Sequence, residues 1–446
     1  MKITELDIQK LYGYINYNIK FNDNINFLYG ENGCGKTTIL KIITNIITGR
    51  LYSLYKYGSS NIALYYTGDG INKRITVAQE ENYISVSVNS DSKTITNERI
   101  AIQNNKFDDE DEEVDYYFSK YPVLYKIQNE FNYVFLPLNR TDSFLKYDNA
   151  HYLRGVYYRE KRFMYNRRFI NENDINMSIV NGLIKRANND LNMKLSNIND
   201  RFNAQLLRSF LDAENIPSTE ELLNYLDSIS DRSIDLENVK LQYKNALTSI
   251  NLTDEQAEKR IDTFFESLYN DISEYKDNKN KLTVNLLFKL SELKKITSII
   301  TRAEEIEQRK YRVRQPVENF TKTINLFFKG GFNEKNITIQ PNGNIYIKND
   351  YGKRITLEDL SSGEKQIITF FAYLVFGLED TNQSIYLVDE PELSLHLNWQ
   401  RIFVESIMNL KMDVQLIFAT HSPEMIGKYR ENAIKLIPRI EEKTNE

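Results

Sequence analysis

The chain has 446 residues, which is more than one hydrophobic core usually organises, so two domains or one core with a large insertion are expected. Its net charge of −5 excludes a global basic field, so any nucleic-acid binding has to come from a local patch. Its single cysteine, Cys34, excludes an internal disulfide framework and a cysteine-based zinc site. There is no signal-peptide pattern and no apolar run of about 18 residues, which predicts a soluble, cytoplasmic protein that does not enter a membrane.

The first 100 residues are predicted to form mostly strands. Apolar and polar residues alternate over the first 30 positions and again between positions 60 and 100, which is the period-two pattern of half-buried strands. Between these regions, the segment from Lys36 to about Ile47 predicts a helix. The acidic run at 108–115 predicts a solvated loop.

The segment Gly30–Thr38, GENGCGKTT, has the spacing of a phosphate-binding loop, and it follows a predicted strand and opens a predicted helix. Glycines let successive backbone N–H groups turn toward phosphates, and the helix start adds partial positive charge. Lys36 is predicted to bridge the β- and γ-phosphates of ATP, and the Thr37 hydroxyl to bind Mg²⁺. The residues predicted to bind ATP are Asn32, Gly33, Cys34, Gly35, Lys36, Thr37 and Thr38.

A basic stretch interleaved with aromatic residues follows at 154–168, RGVYYREKRFMYNRR. Its cations are Arg154, Arg159, Lys161, Arg162, Arg167 and Arg168. Basic residues among aromatics suit phosphate contact combined with base stacking, so nucleic acid is one interpretation. A partner interface and a solvated face balanced by the acidic run are equally open.

Helical periodicity dominates the middle of the chain, because residues 183–315 contain no glycine and only one proline, Pro217. Steps of three or four separate a row of apolar residues: Leu286, Leu290, Leu293, Ile296, Ile300, Ala303 and Ile306. The row predicts a long amphipathic helix that ends before Pro316. A projecting arm of coiled-coil type and a helix packed on its own domain are both compatible with it.

Strand patterns return after Gly331, so the chain has an α/β pattern at both ends and a helical pattern in between. The runs SIYLVDE (384–390) and VQLIFATH (414–421) end in acidic or polar residues, as buried parallel strands do when chemistry lies at their carboxyl ends. Asp389 is predicted to bind Mg²⁺, and Glu390 to orient and deprotonate the water that attacks the γ-phosphate. We therefore predict an amino-terminal lobe (1–150), a helical insertion (151–315) and a carboxyl-terminal lobe (316–446).

The stretch LSSGEKQ (360–366) completes a set of four motifs that occur in order: the phosphate loop, LSSGEKQ, LVDEPELSLH and FATHS. With these motifs the sequence resembles the ABC-type ATPases, in the branch that contains SMC, RecF and OLD-type proteins. The resemblance implies an α/β fold whose P-loop core has a mixed sheet with helices, an antiparallel β subdomain and a mostly helical insertion.

The resemblance also implies that ATP is clamped between two copies of the chain in a head-to-tail dimer. In that family the signature loop binds the γ-phosphate held by the opposite subunit, which assigns Ser361, Ser362, Gly363 and Glu364 to ATP binding in trans. His421 matches the switch histidine that contacts the γ-phosphate and is assigned to catalysis with Glu390. Ser362 and Glu364 depart from the transporter pattern and agree with the DNA-repair branch. For His396, packing and catalysis are equally compatible.

Similarity to OLD-type proteins and antiphage ATPases rests on PELSLH followed by WQ, on the Asn-Gly of the phosphate loop and on the insertion. Only 25 residues follow His421, too few for the Toprim domain of OLD nucleases. The resemblance therefore implies a stand-alone ATPase that acts as an oligomeric switch on a separate effector. AriA of PARIS and PtuA of Septu, with Toprim and HNH nuclease partners, are such ATPases. A DNA-binding repair ATPase of RecF or SMC type is the alternative, and a transporter motor subunit is the third possibility.

Overall fold

The structure is a computed structural model, and it divides the chain into two compact units. One unit comprises Met1–Ala187 with Asn319–Glu446, and the other comprises Asn188–Glu318. The residues that the structure describes are 1–68, 70–90, 93–103, 107, 110–137, 172–211, 217–230, 235–249, 254–277, 282–329, 334–377 and 384–440.

Strands and helices are numbered here separately in chain order. The strands are β1 (Lys2–Leu11), β2 (Ile15–Lys20), β3 (Ile25–Tyr29), β4 (Asn61–Gly68), β5 (Ile71–Gln79), β6 (Tyr83–Ser90), β7 (Lys93–Ala101), β8 (Tyr133–Pro137), β9 (Lys335–Ile339), β10 (Ile345–Asn349), β11 (Arg354–Ile355), β12 (Ser384–Asp389), β13 (Val414–Ala419), β14 (Ala433–Lys435) and β15 (Arg439–Ile440). The helices are α1 (Lys36–Ile47), α2 (Glu110–Lys120), α3 (Pro122–Glu130), α4 (Glu172–Leu211), α5 (Thr219–Ser230), α6 (Leu236–Ser249), α7 (Glu255–Asp277), α8 (Val284–Phe328), α9 (Ser362–Phe376), α10 (Leu397–Asn409) and α11 (Pro423–Ile426).

Most of the amino-terminal strands form one antiparallel sheet, with the order β15-β2-β1-β4-β5-β6-β7. The alternation seen in the sequence explains it, because every second side chain of a strand points to the same face. In β4, for example, Ile62, Leu64 and Tyr66 are buried in one core cluster. This sheet is the antiparallel β subdomain that the sequence predicts.

The second sheet is parallel, with the order β14-β3-β13-β12-β8. Every residue of β12 and β13 is buried. Alternate side chains enter two different cores: Ile385 and Leu387 pack with α1 and the antiparallel sheet, while Tyr386 and Val388 pack with α9 and α10. Burial on both faces is the reason that these strands read as continuous apolar runs.

A short antiparallel sheet, β11-β10-β9, adds Ile337 and Ile347 to the second of these cores. The same core includes Phe320 and Ile324 from the end of α8 and Val180 from α4. The beginning of α4 and the end of α8 therefore belong to the α/β unit.

The helical unit, Asn188–Glu318, has a hydrophobic core of its own. Leu226 of α5 and Leu268 of α7 are buried there with Leu290 and Leu293 of α8. The apolar row of α8 is thus packed within its own unit.

Two predictions about local structure were wrong. Helix α8 does not end before Pro316 but continues through it to Phe328. Pro316 removes the N–H that would bond the carbonyl of Arg312, and both residues are exposed, so water can replace that partner. The acidic run at 108–115 does not form only a loop, since α2 begins at Glu110, where carboxylates favour a helix start.

The α/β fold with an antiparallel subdomain and a helical insertion is confirmed. The two boundaries of the three predicted segments, at 150 and 315, stay predictions, and residues 138–171 lie outside the described residues. Within the described part of the chain, no helix has the length and apolarity needed to cross a membrane.

Candidate functional site

The strand register brings three polar segments to one edge of the parallel sheet. Asp389 of β12 pairs with Ala419 of β13, and Ala419 pairs with Leu28 of β3. The carboxyl ends of these strands therefore lie side by side, and the phosphate loop, the acidic pair and the FATHS segment leave the sheet there. Residues that are 352 positions apart in sequence meet at this edge, as in other open α/β sheets.

The phosphate loop has the backbone that its glycines predict. Gly33 and Gly35 have φ angles of 82° and 83°, a left-handed conformation that favours glycine. Gly35 is the N-cap of α1, and neither a capping side chain nor an acidic residue occupies the first turn. The start of α1 consequently presents N–H groups and partial positive charge that an anion can use.

Lys36 is folded onto the loop. It is only 6% exposed, and its Nζ donates to the carbonyl oxygens of Gly30 at 3.0 Å and Glu31 at 3.1 Å. A buried ammonium held by two neutral acceptors is placed to exchange them for phosphate oxygens.

Cys34 packs inside the loop. Its Sγ lies 3.7 Å from Lys36 Nζ and 2.8 Å from the position that a Cβ on Gly30 would take. Its carbonyl accepts a hydrogen bond from the Tyr17 hydroxyl at 2.6 Å, and burial raises the Tyr17 pKa to about 12. The Cys34 thiol fills space inside the phosphate loop, and the Tyr17 hydroxyl holds the loop backbone at Cys34.

Thr37 and Asp389 are in direct contact. Thr37 Oγ1 donates to Asp389 Oδ1 at 3.1 Å, and Asp389 is 2% exposed. Burial raises the pKa of Asp389 to about 6; the Thr37 hydrogen bond opposes this shift and the charge of Glu390 adds to it. A buried carboxylate beside a hydroxyl is a donor set of hard oxygens that fits Mg²⁺.

Mg²⁺ commonly binds through one or two protein oxygens together with water and substrate phosphates. Among the described residues, no group of three or more His, Cys, Asp or Glu side chains could hold a metal ion without such help. Thr37 and Asp389 therefore fit a metal that arrives with a phosphorylated substrate.

Glu390 follows Asp389 at a sharp turn of the backbone. Its φ angle is 49°, uncommon for a residue other than glycine, and its N–H donates to the Ala419 carbonyl at 2.8 Å. The hydrogen bond to Ala419 helps to hold this strained backbone conformation at the end of β12.

A second carboxylate, Glu392, holds the segment that contains His421. It accepts the Thr420 hydroxyl at 2.8 Å and the His421 N–H at 2.5 Å. The sequence analysis did not identify Glu392. The signal available was its place two residues after the acidic pair.

Gln400 forms a second hydrogen-bonded connection between the loop that follows β12 and the segment that contains His421. Its amide Nε2 donates to the Leu395 carbonyl at 2.9 Å, and its Oε1 accepts the Ser422 hydroxyl at 2.6 Å. The exposed imidazole of His421 is thus carried on a backbone that is bonded on both sides. His396 is the N-cap of α10, where its Nδ1 accepts from the Asn398 N–H at 3.3 Å.

The signature segment begins α9. Ser361 is the N-cap, and its hydroxyl accepts from the Glu364 N–H at 3.4 Å while the Glu364 carboxylate accepts the Ser361 N–H at 2.8 Å. Lys335 of β9 donates to both carboxylate oxygens of Glu364, at 2.6 and 2.8 Å. Glu364 is therefore engaged within its own chain, and Ser361 and Ser362 form the exposed tip.

Gly363 lets α9 approach the loop after Asp389. A Cβ at this position would lie 2.5 Å from the Ser394 carbonyl oxygen and 3.2 Å from a ring atom of Trp399. In the described part of the chain, no hydrogen bond joins the signature residues to the phosphate loop.

The remaining predicted residues lie as follows. Asn32 is exposed on the phosphate loop, and Thr38 Oγ1 lies 3.4 Å from the Tyr12 hydroxyl. The Tyr12 ring is 50% exposed, so an aromatic face that the sequence analysis missed is available beside the loop. The basic stretch at 154–168 lies outside the described residues.

Comparison with known proteins agrees with this geometry. The sequence profile described as AAA ATPase domain matches residues 1–426. The chain is also similar to the Retron Vc95 probable ATPase of Vibrio cholerae serotype O1 biovar El Tor, with 29% identity over 175 residues. That match covers 35% of this chain and spans only 33% of the relative's length.

Solved structures with similar folds include heads of SMC proteins. One is the Smc head domain of Pyrococcus furiosus with an extended coiled coil, bound to the C-terminal domain of ScpA (14% identity, TM-score 0.40, covering 99% of this chain and 96% of that one). Another is the SMC head domain of Thermotoga maritima (11% identity, TM-score 0.38, covering 99% and 98%).

Proposed function

We propose that this chain, which belongs to the AAA ATPase domain family, binds ATP with Mg²⁺ at the phosphate loop and hydrolyses it in a site completed by a second copy. The family match confirms the prediction of an ATPase. The observation that carries the proposed chemistry is the contact between Thr37 and Asp389, because it joins the phosphate loop to the acidic strand end.

Each residue at the sheet edge has a place in this scheme. The backbone of the phosphate loop and Lys36 bind and orient the phosphates. Thr37 and Asp389 would hold Mg²⁺, which when bound supplies charge neutralisation for the phosphates. Glu390 takes a proton from the attacking water, and His421 contacts the γ-phosphate from the end of the neighbouring strand, β13.

Glu390→Gln is the test of this chemistry. The amide keeps the shape of the side chain but cannot accept the proton, so kcat is expected to fall by about 10²–10⁴-fold while ATP affinity is retained. Phosphate release measures kcat, and equilibrium binding of a fluorescent ATP analogue measures affinity. Glu431→Gln, at an exposed site, is the control and should behave as wild type. If Glu390→Gln hydrolysed ATP at the wild-type rate, Glu390 would not be the base that deprotonates the attacking water.

The second copy is proposed from the signature segment. Ser361 and Ser362 are exposed at an N-cap, so the start of α9 is accessible to the γ-phosphate of another subunit. Gly363 and the Glu364–Lys335 pair hold that helix start in place. The result is a head-to-tail dimer, or a larger oligomer, in which each ATP touches two chains.

We further propose that the ATPase is a switch which holds and then releases or activates a separate effector in antiphage defence. The name of the Vibrio cholerae relative, a retron ATPase, supports this context. The effector class expected from the sequence is a Toprim or HNH nuclease. Purification of the tagged chain from its native operon should recover such a nuclease in stoichiometric amount. Recovery of the chain with no companion protein would count against the switch.

A further inference from the structure

A groove of about 420 Å³ lies between α7 and α8 in the helical unit. Three of its lining side chains are cationic, two carry hydroxyls and one is aromatic. They are Lys259, Arg260, Thr263, Phe264, Ser267 and Lys289. Nothing in the ATP site uses these residues.

The spacing along α7 separates its charges by face. The lining residues of this helix occupy positions 259 to 267 at the one-, three- and four-residue steps that share one side of a helix. Asp262 points elsewhere, because its carboxylate pairs with Lys240 at 2.9 Å and Lys244 at 2.8 Å on α6. Among the residues that the structure describes, no acidic side chain forms an ion pair with Lys259 or Arg260. The part of α7 that lines the groove, from Lys259 to Ser267, therefore contributes two cations and no carboxylate to the lining, although the whole chain is acidic.

Lys289 forms the other wall of the groove. Its Nζ donates to Asp271 Oδ2 at 2.6 Å and also contacts the Ser267 hydroxyl, and the side chain is 13% exposed. Asp271 thus balances the charge of Lys289, and the groove lining also carries the charges of Lys259 and Arg260. These contacts fix the ammonium, and the Thr263 hydroxyl is held by its hydrogen bond to the Lys259 carbonyl at 2.9 Å.

The shape of the groove suits an extended ligand. Lys259, Arg260 and Thr263 are exposed, so the groove is open to solvent and does not enclose a ligand. Its volume is near the lower end of the range of about 300–1,000 Å³ for small-molecule pockets. A groove of this size can hold one monomer of a polymeric ligand at a time. Phe264 is half-buried and packs edge-on against Phe265 at 5.5 Å, which supports its ring beside the cations.

We propose that this groove binds a single-stranded nucleic acid. Arg260 and Lys259 contact consecutive phosphates, and a base stacks on the ring of Phe264. Cations in a groove with an aromatic platform are the combination by which proteins bind single strands without reading their sequence. The site lies in the helical unit and does not depend on the proposed ATP chemistry.

The test is fluorescence anisotropy of the full chain with a labelled oligodeoxythymidylate of about 12 nucleotides, a length within single-strand site sizes. Arg260→Ala and Lys259→Ala should each weaken binding several-fold and lower the slope of log K against log salt by about 0.7. Phe264→Ala should weaken binding without changing the slope, since no charge is removed. Arg201→Ala, at an exposed position of the same unit, should bind as wild type.

Circular dichroism melting of each variant checks that the helical unit stays folded. Unchanged affinity in both cation variants, or equal losses in Arg201→Ala, would overturn the proposal. Competition by inorganic phosphate or AMP at the same phosphate concentration as the oligonucleotide would indicate a small-phosphate site and overturn it too. Equal affinity for a duplex of the same length would also contradict it, because stacked bases cannot reach Phe264.

Discussion

Burial of Asp389 raises the pKa of its carboxyl group and so makes the stability of the protein depend on pH. Its folded-state pKa, about 6, lies above the ordinary value of 3.8, so the folded protein binds this proton more tightly than the unfolded chain between about pH 4 and 6. Stability without nucleotide therefore falls as the pH rises through this window, and the full penalty is present above pH 6. Mg²⁺ competes with the proton and should bind more weakly as the pH falls below 6.

Asp389→Asn is predicted to stabilise the nucleotide-free protein at pH 8, by on the order of 2 kcal/mol at most, because no charge is then buried. The amide oxygen can still accept from Thr37. Urea unfolding from pH 4 to pH 8 measures the effect, and the variant should lose the downward slope between pH 4 and 6. A variant that kept this slope would show that another group causes it.

Glu392 is the residue whose role is most specific to the three-dimensional structure. Gln at this position replaces one charged acceptor oxygen with an amide NH₂ group, so the charge-assisted hydrogen bonds that hold Thr420 and the His421 N–H are weakened. Glu392→Gln should lower kcat on the order of tenfold, the cost of one charge-assisted hydrogen bond, and leave the KM for ATP unchanged.

Glu405→Gln is the matched control, because Glu405 is exposed and its ion pair with Lys428 is exposed too. It should leave both kcat and KM unaltered. A rise in KM with unchanged kcat in Glu392→Gln would assign Glu392 to substrate binding and contradict a positioning role.

The sequence identifies some site residues and misses others for a physical reason. The phosphate loop depends on spacing within nine residues, Gly30–Thr38, so its pattern is visible locally. The hydrogen-bond partners of Glu392, Thr420 and His421, are 28 and 29 positions away. The Tyr12 hydroxyl contacts Thr38, which is 26 positions away. Such contacts exist only after the strands have paired.

At the scale of elements, α9 depends on one glycine. Gly363→Ala places a Cβ 2.5 Å from the Ser394 carbonyl oxygen, where backbone has to move. Overpacking of this kind typically costs about 1–3 kcal/mol. We expect a lower melting temperature and a lower ATP turnover, because the signature tip shifts with the helix.

Gly182→Ala is the control for this substitution. Gly182 lies inside α4 with nothing within 4 Å of the new Cβ, so alanine should stabilise that helix by up to about 1 kcal/mol. If both variants melted at the same temperature, close packing of Gly363 would not be the reason for the glycine.

Elements were easier to predict than their ends. The row from Leu286 to Ile306 predicts a helix, and α8 contains it. The predicted end at Pro316 failed because apolar anchors continue on the far side, with Phe320 and Ile324 buried in the other core. These anchors continue the three- and four-residue steps past Pro316, and their packing outweighed the local cost of proline.

At the scale of the whole molecule, the arrangement of the two sheets was beyond sequence reasoning. Gln415, fully buried in β13, accepts the Ile3 N–H at 2.7 Å and donates to the Ile3 carbonyl at 2.7 Å. One side chain thus bonds the parallel sheet to the antiparallel sheet across 412 positions. In the sequence, a glutamine within an apolar run has no visible hydrogen-bond partner, because the partner comes from a distant strand.

The central claim is that each ATP site is built from two chains. Lys36→Ala removes the phosphate-loop half, and Ser361→Arg blocks the signature half, so each variant alone should hydrolyse no ATP. Mixed dimers of the two variants contain one site with both halves intact. Lys36→Ala mixed with Glu390→Gln is the control, because both changes affect the same half and no intact site can form.

The measurement is ATP turnover of these mixtures after the subunits have been allowed to exchange. We predict that Lys36→Ala with Ser361→Arg recovers turnover, while Lys36→Ala with Glu390→Gln does not. No recovery in the first mixture, with exchange shown by differently tagged subunits, would contradict a site shared between two chains.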